Sequence, residues 1–165
     1  MLIWFSETMD QQSQEYKKMD LKRGVDYIGV CCVFYCHDGK GKLLMHKRSE
    51  KCRDEKGRWD AGSGSMEFGE TFDDAVRREI REEYCADVID LHHAGVSSVV
   101  RERNGMKTHW IAVVFAAKVA PEQVRLGDPE YMDEIGWFAP SELPSPLHSK
   151  FFDHLELVKK VVDFS

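Results

Sequence analysis

The stretch GSMEFGETFDDAVRREIREEYCA, which runs from Gly64 to Ala86, decides the fold. Its second part predicts a helix from Thr71, because apolar residues recur there at helical spacing. One face of this helix changes from apolar side chains to carboxylates, and it holds Phe72, Ala75, Val76, Glu79, Glu82, Glu83 and Ala86. The other face holds Asp73, Asp74, Arg77, Arg78, Arg81 and Tyr84.

The glutamates on the apolar face repel one another on a helix, and partial burial raises that penalty. A bound divalent metal explains their placement, since Mg²⁺ and Mn²⁺ prefer carboxylate oxygens as ligands. The ordinary alternative is a solvated acidic face paired with Arg78 and Arg81. The apolar stripe on the same face favours the metal.

The helix has a capping-box start, with Thr71 followed by Asp74 three residues later. Three glycines precede it, and we expect them to give the backbone freedom for positive φ and for close approach to a ligand. They are Gly62, Gly64 and Gly69. A loop of this kind can fold back over phosphate groups.

This stretch resembles the Nudix box, a spaced pattern of glycine, glutamates and arginine. The residues that match in register are Gly64, Glu70, Arg78, Glu79, Ile80, Glu82 and Glu83. Cys85 stands where the pattern has a glycine, and Ala86 takes its final aliphatic position. The resemblance extends more weakly from about Tyr27 to Phe138. Because a glycine at that point ends the helix with positive φ, Cys85 either accepts a strained backbone or the helix ends differently.

The resemblance implies an α/β fold, a Nudix α/β/α sandwich in which a central mixed sheet is flanked by the box helix and a C-terminal helix. A chain of 165 residues, 42% hydrophobic and 32% charged, suits one globular domain. We expect that domain over residues 25–165. Residues 1–24 are largely polar, and we interpret them as a peripheral or mobile lead-in.

The remaining elements follow from runs of apolar and β-branched residues. Strands are predicted over Tyr27–Cys36, Leu43–Lys47, Val88–Arg103, Met106–Val119 and Ile135–Phe138. Asn104 and Gly105 suit a type I′ hairpin turn between the two long strands. A last helix is predicted from about Leu147. Its apolar stripe of Phe151, Leu155, Val158 and Val162 indicates core packing.

The resemblance also implies metal-dependent hydrolysis of a diphosphate linkage in a nucleoside diphosphate derivative. In that pattern Mg²⁺, or alternatively Mn²⁺, is held by Glu79, Glu82 and Glu83, and the backbone carbonyl of Ser63 adds a ligand. Arg78 orients the glutamates and Glu70 braces the loop. The general base is one of Glu82, Glu83, Asp128 and Glu130, and the sequence does not choose among them.

Within the family, the compact length and the MEFGE loop favour a nucleoside triphosphate cleaved to monophosphate and pyrophosphate. A nucleotide sugar, ADP-ribose or a dinucleoside polyphosphate is the alternative. A non-catalytic module that senses a nucleotide is a hypothesis of another class, but all the box acids are present. The candidate substrate-binding residues are Gly64, Arg48, Trp59, Asp128 and Glu130. The ordinary alternatives are solvated loop charges at Arg48, core packing at Trp59, and plain loop acids at Asp128 and Glu130.

The composition limits which binding partners and which cellular compartment are expected for this protein. The formal net charge of −6 argues against general binding to a nucleic-acid backbone. The five cysteines form no CxxC pair, which is typical of reduced thiols in a cytoplasmic protein. The N-terminal MLIWFSETMD lacks the basic start and the long apolar stretch of a signal peptide or membrane span. We therefore expect a cytoplasmic enzyme with a small-molecule nucleotide substrate, and a homodimer stays open.

Overall fold

The computed structural model describes residues 21–103 and 105–164. Within them lie seven strands and two helices that follow one another along the chain. Their bounds are β1 Gly29–His37, β2 Leu43–Arg48, β3 Trp59–Asp60, β4 Gly62–Ser65, α1 Phe72–Tyr84, β5 Val88–Arg103, β6 Met106–Val119, β7 Met132–Phe138 and α2 Phe151–Val158.

The strands form one mixed sheet in the order β3-β2-β1-β6-β5, while β4 pairs with β1 and β7 pairs with β2. The two central strands, β1 and β6, run parallel, with Cys32 opposite Val113. The other pairings are antiparallel. A mixed sheet of this kind confirms the predicted fold class.

Successive side chains of the central strands point to opposite faces of the sheet, so the core consists of one cluster on each face. Phe34 of β1 belongs to a buried cluster that includes the apolar residues of α1. The neighbouring Tyr35 belongs to a second cluster built around Phe151 and Leu155 of α2. The Tyr35 hydroxyl also donates to the Phe151 carbonyl, at 2.5 Å. The helices therefore cover opposite faces, as the sandwich requires.

Most predicted elements are confirmed, and the differences lie at the ends and in short strands. β7 begins at Met132 rather than Ile135, and α2 begins at Phe151 rather than near Leu147. The apolar residue Val162 follows the end of α2, although it still packs against the second cluster. β3 and β4 are missing from the sequence-based prediction. The predicted hairpin turn includes Asn104, which lies outside the described residues.

Three residues of α1 correct the helical wheel, and one of them is Glu82, which the wheel places on the inward face and which is exposed. Phe72, placed on the inward face, is the first residue of the helix and is 43% exposed. Tyr84, placed on the polar face, is fully buried. Its hydroxyl lies 2.7 Å from Nδ1 of His46, and its ring contacts Phe34 edge to face. A long side chain in the last turn thus reaches the sheet from a position that the wheel assigns to solvent.

The segment before β1 packs on the indole of Trp110. Of the lead-in predicted over residues 1–24, residues 1–20 lie outside the described residues. Beyond that point the chain turns, and the N–H of Gly24 donates to the Tyr27 carbonyl at 2.8 Å. A Cβ at Gly24 would lie 2.2 Å from Nε1 of Trp110, and one at Gly29 would also meet the ring. Both glycines therefore allow the indole to sit flat against the backbone.

The helices of the described residues are too short or too polar to cross a membrane. The five cysteines are free thiols.

Helix α1 ends at Cys85 in the left-handed conformation, with φ 54° and ψ 27°. The N–H of Cys85 donates to the Arg81 carbonyl at 3.0 Å, so the residue completes the last turn. Of the two endings left open by the sequence, the strained one is present. A residue with a Cβ in this region costs about 1 to 2 kcal/mol.

We expect Cys85→Gly to raise the free energy of unfolding by about 1 kcal/mol, because glycine adopts this backbone without strain. Turnover should stay unchanged, since the thiol is exposed at the end of the helix away from the sheet. Urea denaturation and steady-state assays measure the two effects. The matched control is Ala86→Gly at the next, buried position, which should lose stability. A loss of stability in Cys85→Gly would contradict the strain argument.

Candidate active site

The glutamates of α1 face the short strand β4, which approaches them very closely. A Cβ at Gly64 would lie 1.8 Å from Cδ of Glu79, so only glycine leaves room for that carboxylate. Gly62 also leaves no room for a larger residue, because a Cβ at this position would lie 1.9 Å from the Phe34 ring. These two glycines have ordinary strand backbones, which corrects the expectation of positive φ. Among the three loop glycines, only Gly69 has it, at 91°.

Glu83 is the most deeply placed acid of the helix. Its Oε2 is buried without a hydrogen-bond partner among the described residues. Burial raises the pKa of Glu83 well above its usual range, and the charge of Glu79 adds to the rise, although the Ser63 backbone N–H opposes it by hydrogen bonding. Burial likewise raises the pKa of Glu79, against the lowering effect of Arg78. This end of the helix therefore attracts positive charge.

Arg78 joins the acids to the loop before the helix. Its Nε and Nη2 donate to the two carboxylate oxygens of Glu70, at 2.6 and 3.0 Å. Its Nη1 donates to Glu79 at 2.8 Å and to Glu82 at 3.2 Å, while Nη2 also reaches the Ser65 carbonyl at 3.2 Å. The hydrogen bond from Arg78, together with one from the Glu67 backbone, lowers the pKa of Glu70 to about 2.

The chemistry of these residues suits a hard divalent cation. Carboxylates supply the oxygen ligands that such an ion prefers, and the unpartnered oxygen of Glu83 has no other use among the described residues. In the described part of the chain, His, Cys, Asp and Glu side chains do not gather in groups of three or more able to hold an ion. Glu79 and Glu83 would need water, backbone or substrate oxygens to complete the shell, which is usual for Mg²⁺. Glu82 is 58% exposed at the edge of the site.

The loop after β6 is fastened to the end of α1. The N–H of Arg125 donates to the Tyr84 carbonyl at 2.9 Å, and that of Gly127 donates to the Glu83 carbonyl at 2.8 Å. A Cβ at Gly127 would lie 2.0 Å from the Glu82 carbonyl oxygen, so the approach requires glycine. This contact places Asp128 beside Glu83, whose pKa its charge helps to raise.

A cavity of about 350 Å³ opens over these acids. Its lining combines them with basic and polar side chains of the sheet and loops, including Glu79, Glu83, Asp128, Arg48, Arg53 and Tyr131. Glu130 does not line the cavity, because its carboxylate is exposed and pairs with Lys51 at 3.3 Å.

Of the predicted substrate-binding residues, Gly64, Arg48 and Asp128 line this cavity. Arg48 is held by Asp54, with Nη2 at 3.1 Å from its Oδ1. Trp59, which the sequence suggested as a substrate-binding residue, is instead buried in the core. Its ring contacts that of Phe138 edge to face, with the ring centroids 5.1 Å apart. The indole that does reach a cavity is that of Trp110.

A second cavity of about 210 Å³ adjoins the first and shares its wall at Arg48, Arg53 and the segment 63–65. It is lined by charged residues that the sequence interpretation missed, among them Asp60, Arg101 and His148. Burial raises the pKa of Asp60 to about 7, against the lowering effect of Arg48. These residues come from distant parts of the chain, and no spacing pattern connects them.

Known proteins resemble the chain over most of its length. It is 30% identical over 141 residues to the mouse 8-oxo-dGDP phosphatase NUDT18, covering 82% of this chain and 39% of that protein. The chain thus spans about two fifths of this relative. A shorter match joins it to the dihydroneopterin triphosphate diphosphatase of Escherichia coli, 34% identical over 62 residues and covering 38% of each protein.

The fold has a solved counterpart in a MutT NUDIX hydrolase from Burkholderia pseudomallei. That structure aligns with a TM-score of 0.71 at 30% identity, over 80% of this chain and 98% of the other. The family model for the NUDIX domain matches residues 27–161. This range contains the glutamate helix, both cavities and every strand of the sheet, and the chain therefore belongs to the Nudix hydrolase family.

Proposed function

We propose that this enzyme hydrolyses the linkage between the α and β phosphates of a nucleoside triphosphate, releasing a monophosphate and pyrophosphate. More broadly, its substrate is a nucleoside diphosphate derivative. The observation that carries the proposal is the pair Glu79 and Glu83, half-buried against β4 at the floor of a cavity, with Oε2 of Glu83 buried and without a hydrogen-bond partner among the described residues.

Glu79, Glu83 and the Ser63 carbonyl are the groups that would hold Mg²⁺, and Glu82 is placed to join them from the edge. A divalent ion bound there supplies charge neutralisation on phosphoryl oxygens and lowers the pKa of a coordinated water. Burial raises the pKa values of both carboxylates, and a cation bound between them would lower those values again. Metal binding should therefore release protons.

Arg78 acts as a positioning residue, since it holds Glu79 and Glu70 at hydrogen-bond distance from one guanidinium. Asp128 is the favoured general base. It lines the same cavity as Glu79 and Glu83, where a base would have to meet the attacking water. Glu130 lies outside that cavity, paired with Lys51.

Arg48 and Arg53 lie on the wall that the two cavities share, where guanidinium groups suit phosphate oxygens. A nucleotide would then place its phosphates over the acids and the rest of the molecule in the second cavity. The names of the relatives point to substrates that join a fused heterocycle to a di- or triphosphate, one a nucleoside diphosphate and one a pterin triphosphate. A nucleoside diphosphate is therefore the second candidate substrate.

The nature of the products tests the proposal. With Mg²⁺ and a panel of nucleoside triphosphates, anion-exchange chromatography is expected to show monophosphate and pyrophosphate in equal amounts. Diphosphate with orthophosphate would overturn the cleavage site. Turnover restricted to diphosphates, ADP-ribose or nucleotide sugars would overturn the substrate. Binding of nucleotides without any turnover, across Mg²⁺ and Mn²⁺, would favour a sensing module.

A further inference from the structure

The second cavity has the size and position of a recognition site for one small ring system. Its volume of about 210 Å³ is below the range of about 300 to 1,000 Å³ typical of pockets for larger ligands. It adjoins the catalytic cavity along Ser63, Gly64 and Ser65, so a group bound in it lies next to the phosphates. Its walls come from strands β1 to β6 and helix α2, together with the loop residues Arg53, Asp54 and His148.

Asp60 provides a buried acceptor in this cavity. One oxygen, Oδ1, accepts a hydrogen bond from the Ala61 N–H at 2.9 Å. The other, Oδ2, lies 3.6 Å from Nδ1 of His148 and 3.9 Å from Nη1 of Arg48, and both separations are longer than a hydrogen bond. A carboxylate has room for about four donors, so Oδ2 keeps the capacity to accept one from a ligand.

Arg101 provides the matching donor. Its two terminal nitrogens are engaged, Nη1 with Asp54 at 3.4 Å and Nη2 with Nε2 of His148 at 3.1 Å. Its Nε is buried without a hydrogen-bond partner among the described residues, and so is Nε2 of His154 on another wall. An arginine is always a donor, and leaving such a group unpaired is costly. The ring of His148 lies between the two groups, with Nδ1 3.6 Å from Asp60 and Nε2 3.1 Å from Arg101, so donor and acceptor lie on either side of one imidazole.

The remaining wall favours a flat neutral ring over a second anion. Trp110 lines the cavity, and the guanidinium of Arg53 lies 5.7 Å from the centre of its indole. Arginines line the cavity as well, but Asp54 lies 3.1 Å from Arg48, 4.0 Å from Arg53 and 3.4 Å from Arg101, so their charge is already opposed before a ligand enters. The guanidinium plane of Arg53 instead provides a surface on which a heterocycle can stack.

We propose that this cavity selects a nucleotide whose ring carries an N–H beside a carbonyl, as in hypoxanthine, guanine or uracil. Asp60 accepts the ring N–H, and Arg101 donates to the adjacent carbonyl. Adenine and cytosine present a bare ring nitrogen beside an amino group at the same edge. That nitrogen would face the ionised Asp60 carboxylate with a lone pair, which disfavours both bases in assays run above about pH 7. This inference rests on the proposed function, because it assumes that the phosphates occupy the neighbouring cavity.

ITP and ATP form a matched pair for the test, since their purine rings differ only at the edge that Asp60 and Arg101 would read. We expect the wild-type kcat/KM for ITP to exceed that for ATP by about tenfold or more. Asp60→Asn should reduce this ratio by a similar factor, because an amide pairs well with the adenine edge. Asp133→Asn, an exposed acid on β7, is the control and should leave the ratio unchanged.

Equal treatment of ITP and ATP by the wild type would overturn the inference, as would an equal loss for both in Asp60→Asn. If Asp60→Asn does not fold, Arg101→Lys serves instead, because it removes the Nε donor and should lower the preference for ITP. Calorimetric Kd values for the α,β-methylene analogues of ITP and ATP decide the matter without turnover. Absence of hydrolysis would then count against the proposed function alone, whereas equal Kd values would count against this inference.

Discussion

Replacing Glu83 with Gln is expected to lower turnover by a factor of about 10² to 10⁴. The substitution keeps the shape of the side chain but removes the carboxylate whose Oε2 lies buried without a partner at the floor of the cavity. An amide is a poor ligand for Mg²⁺ and cannot act as a base. Steady-state assays measure the loss, and Glu134→Gln, an exposed glutamate on β7, is the control expected to retain full turnover.

The same variant should be more stable than the wild type in the absence of metal, and the gain should depend on pH. Burial raises the pKa of Glu83 above its unfolded value, so the folded wild type holds this proton more tightly. Its stability is therefore greatest below the unfolded pKa of about 4.3 and falls as pH rises towards the folded pKa. Urea midpoints in EDTA should show little advantage of Glu83→Gln near pH 4 and a clear one near pH 8. An advantage of equal size at both values would contradict this origin.

Replacing Gly64 with Ala is expected to lower turnover by about 10- to 100-fold while the fold remains stable. The new Cβ would lie 1.8 to 2.3 Å from the carboxyl atoms of Glu79, which must swing away. The displaced group is the end of a flexible side chain, so the cost falls on the site rather than on the core. The stabilisation of the protein by Mg²⁺ in thermal unfolding should shrink together with the turnover.

Gly62→Ala is the matched contrast, two residues away on the same strand. Its Cβ would meet the ring of Phe34, which is fully buried and cannot move without disturbing the core. We expect a loss of about 1 to 3 kcal/mol in the free energy of unfolding. Normal Mg²⁺ stabilisation and turnover in Gly64→Ala would show that the carboxylate of Glu79 is not held where β4 places it.

The sequence predicted well those parts of the fold that depend on neighbouring residues in the chain. The N-cap at Thr71 accepts from the N–H of Asp74 at 3.2 Å, as its capping-box pattern indicates. The strands Val88–Arg103 and Met106–Val119 have the predicted bounds, because the Asn-Gly pair in the sequence marks where one ends and the next begins. Cys85 likewise has the positive φ that is expected of the glycine at this position of the motif.

The missed features depend on contacts between distant segments. β4 reads Gly-Ser-Gly-Ser, a composition with low strand propensity, and it becomes a strand because β1 supplies its backbone partners. Tyr84 is buried because His46, 38 residues earlier, offers a partner for its hydroxyl. The cavity around Asp60 and Arg101 follows only from the folded sheet, since no periodic pattern places these residues together.

The attachment of the loop after β6 to the end of α1 has a consequence for how this enzyme tolerates insertions and deletions. Arg125 and Gly127 each hold one helix carbonyl, so the number of residues from there to Asp128 is fixed by backbone geometry. The residues just before, Pro121 and Glu122, are exposed, and in the described part of the chain their carbonyls accept only from within the same loop, from the Val124 N–H at 3.3 Å and from Nη1 of Arg125 at 2.8 Å. Natural or engineered changes in chain length should accumulate on that side of Arg125, and variants in which they fall on the other side should lose the register that brings Asp128 to the acids of the helix.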